Sequence, residues 1–269
     1  MVPTLGNRRD WLAIAVESIC HQSAQCNVVV VAPPGADVAD IARFYECALI
    51  RLGEKGLSVA VNAAWQSLPD ECEFVSWLGD DDLLAPGAIA AAEAALDRAP
   101  TKAFVYGRTR YIDSQGDTHY VSRPSRLAAG YLSYGKNFVP QQGSLIRRRA
   151  IESAGLLDRN LKNAMDQELF TRLHRLHGSV YIPVELSAYR FHDTNITVTK
   201  GDLDESQIVR DRYAGGARKL FMRSGLHRRL SHGYYAVQKR LPCSSPVSVG
   251  GCPYPKLLSQ WADQQVSAT

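Results

Sequence analysis

Three adjacent carboxylates, Asp80, Asp81 and Asp82, follow directly on an apolar run in "EFVSWLGDDDLLAPGAI". Like charges this close repel unless a cation shares them. Carboxylate oxygens at the rim of a sheet suit a hard divalent ion, Mg2+ or Mn2+. Such an ion keeps several waters and takes one or two carboxylates plus substrate phosphates. The plainer alternative is a solvated turn with Asp82 near a helix start, where negative charge is favourable. Several other chemistries are excluded. The residues after Asp80 lack the turn glycine of an EF-hand loop, and no GxxxxGK[ST] phosphate loop occurs. The first strand-to-helix turn has no GxG, which argues against a dinucleotide-binding fold. The six cysteines, Cys20, Cys26, Cys47, Cys72, Cys243 and Cys252, form no CxxC pair, so a structural zinc site is not expected. The first four read as reduced core residues.

The acidic triplet needs a scaffold, and the preceding chain supplies one. "NRRDWLAIAVESICHQ" has Leu12, Val16, Ile19 and Cys20 at helical spacing. "NVVVVA" reads as a buried strand. "ADIARFYECALIRLG" reads as a helix ending at Gly53. "LSVAV" reads as a strand, followed by a helix from "NAAWQSL" with Asn62 as its N-cap. "EFVSWL" is the next strand, and "APGAIAAAEAALDRA" is a helix with Pro86 near its start. "AFVYGRTRYI" and "THYVS" form a hairpin across "DSQGD". Alternating strands and helices predict an α/β fold, mostly a parallel sheet flanked by helices. Ligands in such sheets bind at the carboxyl ends of the strands, where Asp80–Asp82, Asn62 and the "PTLGN" loop fall. Further on, "FVPQQGSLIRRRAIESAG" reads as loop, strand and short helix. "NAMDQELFTRLHRLHG" is a helix ending at Gly178, and "VYIPVELSAYRFH" is extended.

The chain has 269 residues, 45% hydrophobic and 22% charged, which suits one large globular unit with an appendage. Its net charge of +4 is unevenly spread. Residues 1–199 hold 20 Lys+Arg against 22 Asp+Glu, whereas residues 200–241 hold 10 against 4. The organisation expected is a main domain over 1–200, a basic helical extension over 201–241 and a loop-rich or disordered tail over 242–269. Within the main domain a first half would end near 115, followed by a second half. The opening lacks the apolar core of a signal peptide, and no run of about 18 apolar residues occurs, so a cytoplasmic setting is expected. The basic segment, with Arg and Lys interleaved among Leu, Phe, Met and Tyr, reads either as a helix packed on the domain or as peripheral attachment to an anionic membrane face. No nucleic-acid-binding motif is found.

Four stretches in order, "VPTLGNRRDWLAIAVESICHQ", "GLSVAVNAAWQSL", "FVSWLGDDDLLAPGAI" and "GLLDRNLKNAMDQELFTRLHRLHG" followed by "YRFHDTNIT", resemble the family 2 glycosyltransferases of the GT-A fold over residues 2 to about 198. The resemblance implies an inverting, metal-assisted transfer of a hexose or deoxyhexose. The donor would be a nucleotide-diphosphate sugar and the acceptor a hydroxyl of a glycan or lipid-linked molecule, in bacterial surface-polysaccharide assembly. In that register Asp81 and Asp82 belong to the metal site with His192, and the cofactor is Mg2+ or Mn2+. The resemblance makes residues 1 to about 115 the nucleotide-sugar half and about 116–200 the acceptor half, and Pro3, Thr4, Asn62 and Asp80 would bind the nucleotide sugar. Asp166 would be the catalytic base, and Gln141 and Gln142 would face the acceptor.

The sequence departs from the family's pattern at several points. Only "MVPT" stands for the first strand. "VVVVAPPGAD" lacks the acidic pair whose aspartate reads the base, Val61 replaces an arginine, and Gly79 occupies the first position of the D-x-D register. Two alternatives stay open: a nucleotidyltransferase, for which "GNRR" is a faint echo of a basic glycine-rich loop, and a non-catalytic nucleotide-sugar-binding protein of the same fold.

Overall fold

The computed structural model describes residues 1–193, 202–213 and 233. The order begins with β1 (Val2–Pro3), α1 (Arg9–Cys20), β2 (Val29–Ala32), α2 (Ala39–Phe44), β3 (Ala48–Arg51), α3 (Leu57–Ser67), β4 (Phe74–Val75), β5 (Leu83–Leu84) and α4 (Ala88–Asp97). It continues with β6 (Phe104–Ile112), β7 (Thr118–Ser122), α5 (Ala128–Tyr131), β8 (Leu145–Arg147), α6 (Arg148–Ala154), α7 (Met165–His177), β9 (Ser179–Arg190) and α8 (Asp202–Tyr213).

β1, β2 and β3 form a parallel sheet, with Val2 opposite Val30 and Val30 opposite Leu49. All four β2 residues are buried, as a β-branched run between helical layers requires. The second sheet runs β4-β8-β6-β9-β5, with β7 on β6. Among the described residues only β6 and β9 pair in parallel there; the other pairs are antiparallel. Met1 joins the two sheets. Its amino group donates to the Ser76 carbonyl at 3.1 Å, and the Leu78 N–H donates to the Met1 carbonyl at 3.0 Å. The segment ending in the aspartate triplet thus runs beside β1, so Thr4 and Asp80 emerge together at the same sheet edge.

Two elements differ from the sequence-based expectation. "LSVAV" is not a strand: it opens α3, so Asn62 sits inside a helix whose N-cap is Gly56. The buried positions Ser58, Val61, Asn62 and Trp65 follow helical spacing. With Ala64 they make five buried positions, of which two are polar, which hid the period from a reading based on apolar residues. The helix read through Gly53 stops at Phe44, and residues 48–51 form β3 instead. The break is made by Glu46, a non-glycine residue at φ 53°, a left-handed conformation that the sequence does not advertise.

The main core lies between α3, α7 and the second sheet. An aromatic file runs through it: Trp65 meets Trp77 edge-on at 5.5 Å, Trp77 stacks on Phe170 at 6.3 Å, and Phe170 lies 4.8 Å from Phe104. Trp77 reaches from this file to the wall of a cleft. α8 packs on the domain through Val209, which is fully buried, and through Arg210, which donates to the Gly135 carbonyl. Of the basic extension read over 201–241, this helix is described; apart from residue 233, the rest and the 242–269 tail lie outside the described residues. α8 itself carries four acidic and two basic residues, so it is not the source of the segment's positive charge. Among the described residues no helix is long and apolar enough to cross a membrane.

Candidate active site

A cleft of about 680 Å³ opens where β1 and the acidic segment end. Its walls include Pro3, Thr4, Asp80, Asp81, Asp82, Gln141, Gln142 and Asp166, residues drawn from both halves of the sequence. His192 lies just behind Asp81 and Asn62 lies away from the cleft lining.

The triplet is not a solvated turn. Asp80 and Asp82 are 4% exposed. Thr4 Oγ1 donates to Asp80 Oδ2 at 2.6 Å, and the Gly6 N–H donates to the same hydroxyl oxygen. Burial pushes the Asp80 carboxyl up, while the Thr4 hydrogen bond and the Arg8 charge oppose it. Asp82 turns inward. Its Oδ1 accepts the Arg190 N–H at 3.0 Å. Burial and then the neighbouring Asp81 charge raise its pKa well above the carboxylate range. Gly79 leaves room for these carboxylates. A Cβ there would meet Asp81 Oδ1 at 2.6 Å and Asp82 Oδ2 at 3.0 Å. Any side chain at this position of the D-x-D register would have to displace the Asp81 and Asp82 carboxylates from where they stand.

Asp81 is the carboxylate that meets cations. Arg8 Nη1 donates to its Oδ2 at 2.7 Å, and His192 Nε2 lies 2.9 Å from the same oxygen. Arg8 Nη2 pairs with Asp80 Oδ1 at 3.1 Å. Trp11, one turn along α1 from Arg8, backs the group: its ring centroid is 5.0 Å from that of His192 and 5.0 Å from the Arg190 guanidinium carbon. Arg190 is fully buried and donates to the carbonyls of Asp81, Asp113 and Ser114, so β9 grips the backbone of the triplet.

Asp166 sits in the first turn of α7. Asn137 Nδ2 donates to its Oδ2 at 2.8 Å, and the Gln167 N–H donates to its Oδ1 at 2.7 Å, which fixes the carboxylate plane. Gln141 Nε2 donates to the Trp77 carbonyl. Asn62 bonds the Leu157 backbone on both sides, Nδ2 to the carbonyl at 2.9 Å and Oδ1 from the N–H at 3.0 Å. It holds the loop that leads into α7.

Several site residues escaped the sequence reading. Arg8 stood in view within "GNRRDW" and Arg190 within "YRFHD", but nothing local says which arginine turns inward. Lys55, Lys162 and Asn163 also line the cleft. Glu205 of α8 accepts the N–H groups of Lys162, Asn163 and Ala164 at 2.7–3.0 Å. Among the described residues no cluster of three His, Cys, Asp or Glu side chains is arranged to hold a metal ion by itself.

Comparison with solved structures gives the same architecture. The TarS 1–349 fragment from S. aureus, in complex with UDP-GlcNAc, matches with a TM-score of 0.65 at 15% identity, over 86% of this chain and 71% of that one. Longer TarS matches over 86% of this chain and 43% of its own length. The mannosyltransferase PcManGT from Pyrobaculum calidifontis, in complex with GDP-Man and Mn2+, matches with a TM-score of 0.54 at 16% identity, over 98% of this chain and 79% of that one. At such identities the likeness establishes the fold, a GT-A-like α/β arrangement of parallel strands flanked by helices. No curated protein matches the chain by sequence. The model of the glycosyl transferase family 2 matches residues 1–155, more than half of the chain, and the chain belongs to that family.

Proposed function

We propose that this chain transfers a sugar, with inversion, from a nucleotide-diphosphate donor to a hydroxyl of a glycan or lipid-linked acceptor, assisted by a divalent ion. One observation carries the reading: Asp80–Asp82 and Asp166, far apart in sequence, line a single cleft large enough for a nucleotide sugar. The donor class draws support from the nucleotide sugars bound by TarS and PcManGT.

The residues fit a divalent ion. Asp81 Oδ2 and His192 Nε2 stand 2.9 Å apart and converge, a carboxylate and imidazole pair suited to Mn2+ or Mg2+ when phosphate oxygens supply the other ligands. Asp82 stands behind them, its carboxylate turned inward onto the Arg190 N–H. When bound, such an ion neutralises the diphosphate as it leaves. The other roles belong to side chains of the chain itself. Pro3 and Thr4 flank the nucleotide, and Asp80, oriented by Thr4, faces its ribose. Gln141 and Gln142 border the acceptor side. Asp166 takes the proton from the attacking hydroxyl as that oxygen bonds the anomeric carbon and the carbon–diphosphate bond breaks on the opposite face. The α7 N-terminus favours the ionised, proton-accepting form. Asn62 serves at one remove, through the loop it holds. The basic residues past Tyr213 would bring the enzyme to the anionic inner face of a membrane, where lipid-linked acceptors reside.

Nucleoside diphosphate release from UDP-, dTDP- and GDP-sugars, with Mn2+ or Mg2+ and a membrane-lipid extract as acceptor, tests the reading. Wild type should release it from one donor, with loss in Asp81→Ala and in Asp166→Asn. Binding of a nucleotide sugar without turnover, in every donor and extract, would replace the transferase with a binding protein.

A further inference from the structure

We propose that Arg8 is a built-in counter-cation: it holds Asp80, Asp81 and His192 together before the donor arrives and competes with the divalent ion for Asp81. The inference rests on the metal-assisted reading above. The guanidinium spans two carboxylates, Nη1 on Asp81 Oδ2 at 2.7 Å and Nη2 on Asp80 Oδ1 at 3.1 Å. The same Nη1 lies 3.0 Å from His192 Nε2. That ring nitrogen is also 2.9 Å from Asp81 Oδ2. It can donate to the carboxylate or accept from the guanidinium, but not both. Three groups thus converge on one point with a conflict in their hydrogen bonding. A divalent ion would remove the conflict, since the carboxylate and the imidazole lone pair would then face the same positive charge. The guanidinium would have to leave that point, because it and the ion cannot share Oδ2 at bonding distance.

Arg8 is suited to moving. Its side chain is 26% exposed and lines the cleft. Its Nε–H is buried without a partner among the described residues, so its hydrogen bonding is incomplete where it stands. Arg190, by contrast, is fully buried and bonded to three carbonyls. One arginine is a fixture of the triplet's backbone; the other is a charge held on its side chains. The consequence is a site that stays neutralised and ordered when empty and binds free metal weakly until the donor's phosphates add ligands.

The test is Mn2+ affinity, by electron paramagnetic resonance of the free ion, for wild type, Arg8→Gln, Arg8→Lys and Asp81→Asn. Each is measured without nucleotide and with UDP and GDP, after a circular dichroism check of folding. Removing a unit charge within hydrogen-bonding distance of Asp81 should tighten nucleotide-free Mn2+ binding in Arg8→Gln by at least about fivefold. Arg8→Lys should fall between, and Asp81→Asn should abolish binding. Equal or weaker Mn2+ binding in Arg8→Gln, with Asp81→Asn still abolishing it, would overturn the role of Arg8 and leave the metal reading intact. No Mn2+ binding in any form, with or without nucleotide, would overturn both.

Discussion

Glu205→Ala should loosen the segment that presents Asp166. The α7 helix has no side-chain cap of its own: its N-cap is Ala164. Glu205 supplies the missing acceptor from α8, taking the N–H groups of Lys162, Asn163 and Ala164 at 2.7–3.0 Å. Removing an N-cap acceptor costs about 1–2 kcal/mol. That cost predicts a fall in Tm of roughly 2–8 °C for a domain of this size. Burial works against the Glu205 charge, but the three N–H groups outweigh it and hold its pKa below the usual value. A depressed folded pKa means that the stabilisation is present above the unfolded value of about 4.3 and is lost as pH falls through the folded value. The gap in Tm between wild type and Glu205→Ala should therefore be full at pH 7 and close in acid. Glu205→Gln, which keeps an acceptor oxygen but not the charge, should lie between. Thermal denaturation from pH 7 to pH 4, with hydrogen exchange of residues 162–166, measures both effects. An unchanged Tm at pH 7 and unchanged protection at these amides would refute the capping argument.

Three further outcomes follow from the site. Gly79→Ala should cost nucleotide-sugar turnover more than an ordinary surface change, because its Cβ would lie 2.6 Å from Asp81 Oδ1; near wild-type kcat would show that the carboxylates can shift freely. Asn62→Ala leaves the Leu157 N–H and carbonyl without partners in a buried setting, at about 1–3 kcal/mol each, so urea denaturation should show a clear loss of stability while nucleotide affinity changes little. The opposite pattern, an unchanged midpoint with lost nucleotide binding, would make Asn62 a direct ligand. Trp11→Ala removes the ring beside both His192 and Arg190, and Mn2+ affinity in the presence of nucleotide should drop; an unchanged affinity would mean that His192 is held without it.

Much of the fold was legible because apolar patterning and burial coincide. β2 is four β-branched or small residues, all buried, and α7 ends at the glycine that the sequence offers. Legibility failed where a local rule was overruled. α3 buries Ser58 and Asn62 along with Val61 and Trp65, because the loop before α7 offers Leu157 and Leu161 backbone groups as partners. No sequence window around residue 60 contains those partners. The left-handed Glu46 that frees β3 is equally silent.

The site divides in the same way. Asp80, Asp81 and Asp82 were visible as a charge anomaly, since three like charges after an apolar run demand compensation. What compensates them was not visible, because it comes from two distant places, the loop before α1 and the end of β9. Arg8 arrives from the loop before α1, His192 from beyond the end of β9, and the Arg190 N–H from the last residue of that strand. The consequence is a division of labour within the triplet. Asp82 is fixed by the Arg190 main-chain N–H, whereas the partners of the Asp81 carboxylate among the described residues are side chains. Main-chain partners cannot leave without unfolding β9. Side-chain partners, Thr4 and Arg8 on Asp80 and Arg8 and His192 on Asp81, can rotate away without breaking β9, so the give within the triplet lies at Asp80 and Asp81 and not at Asp82.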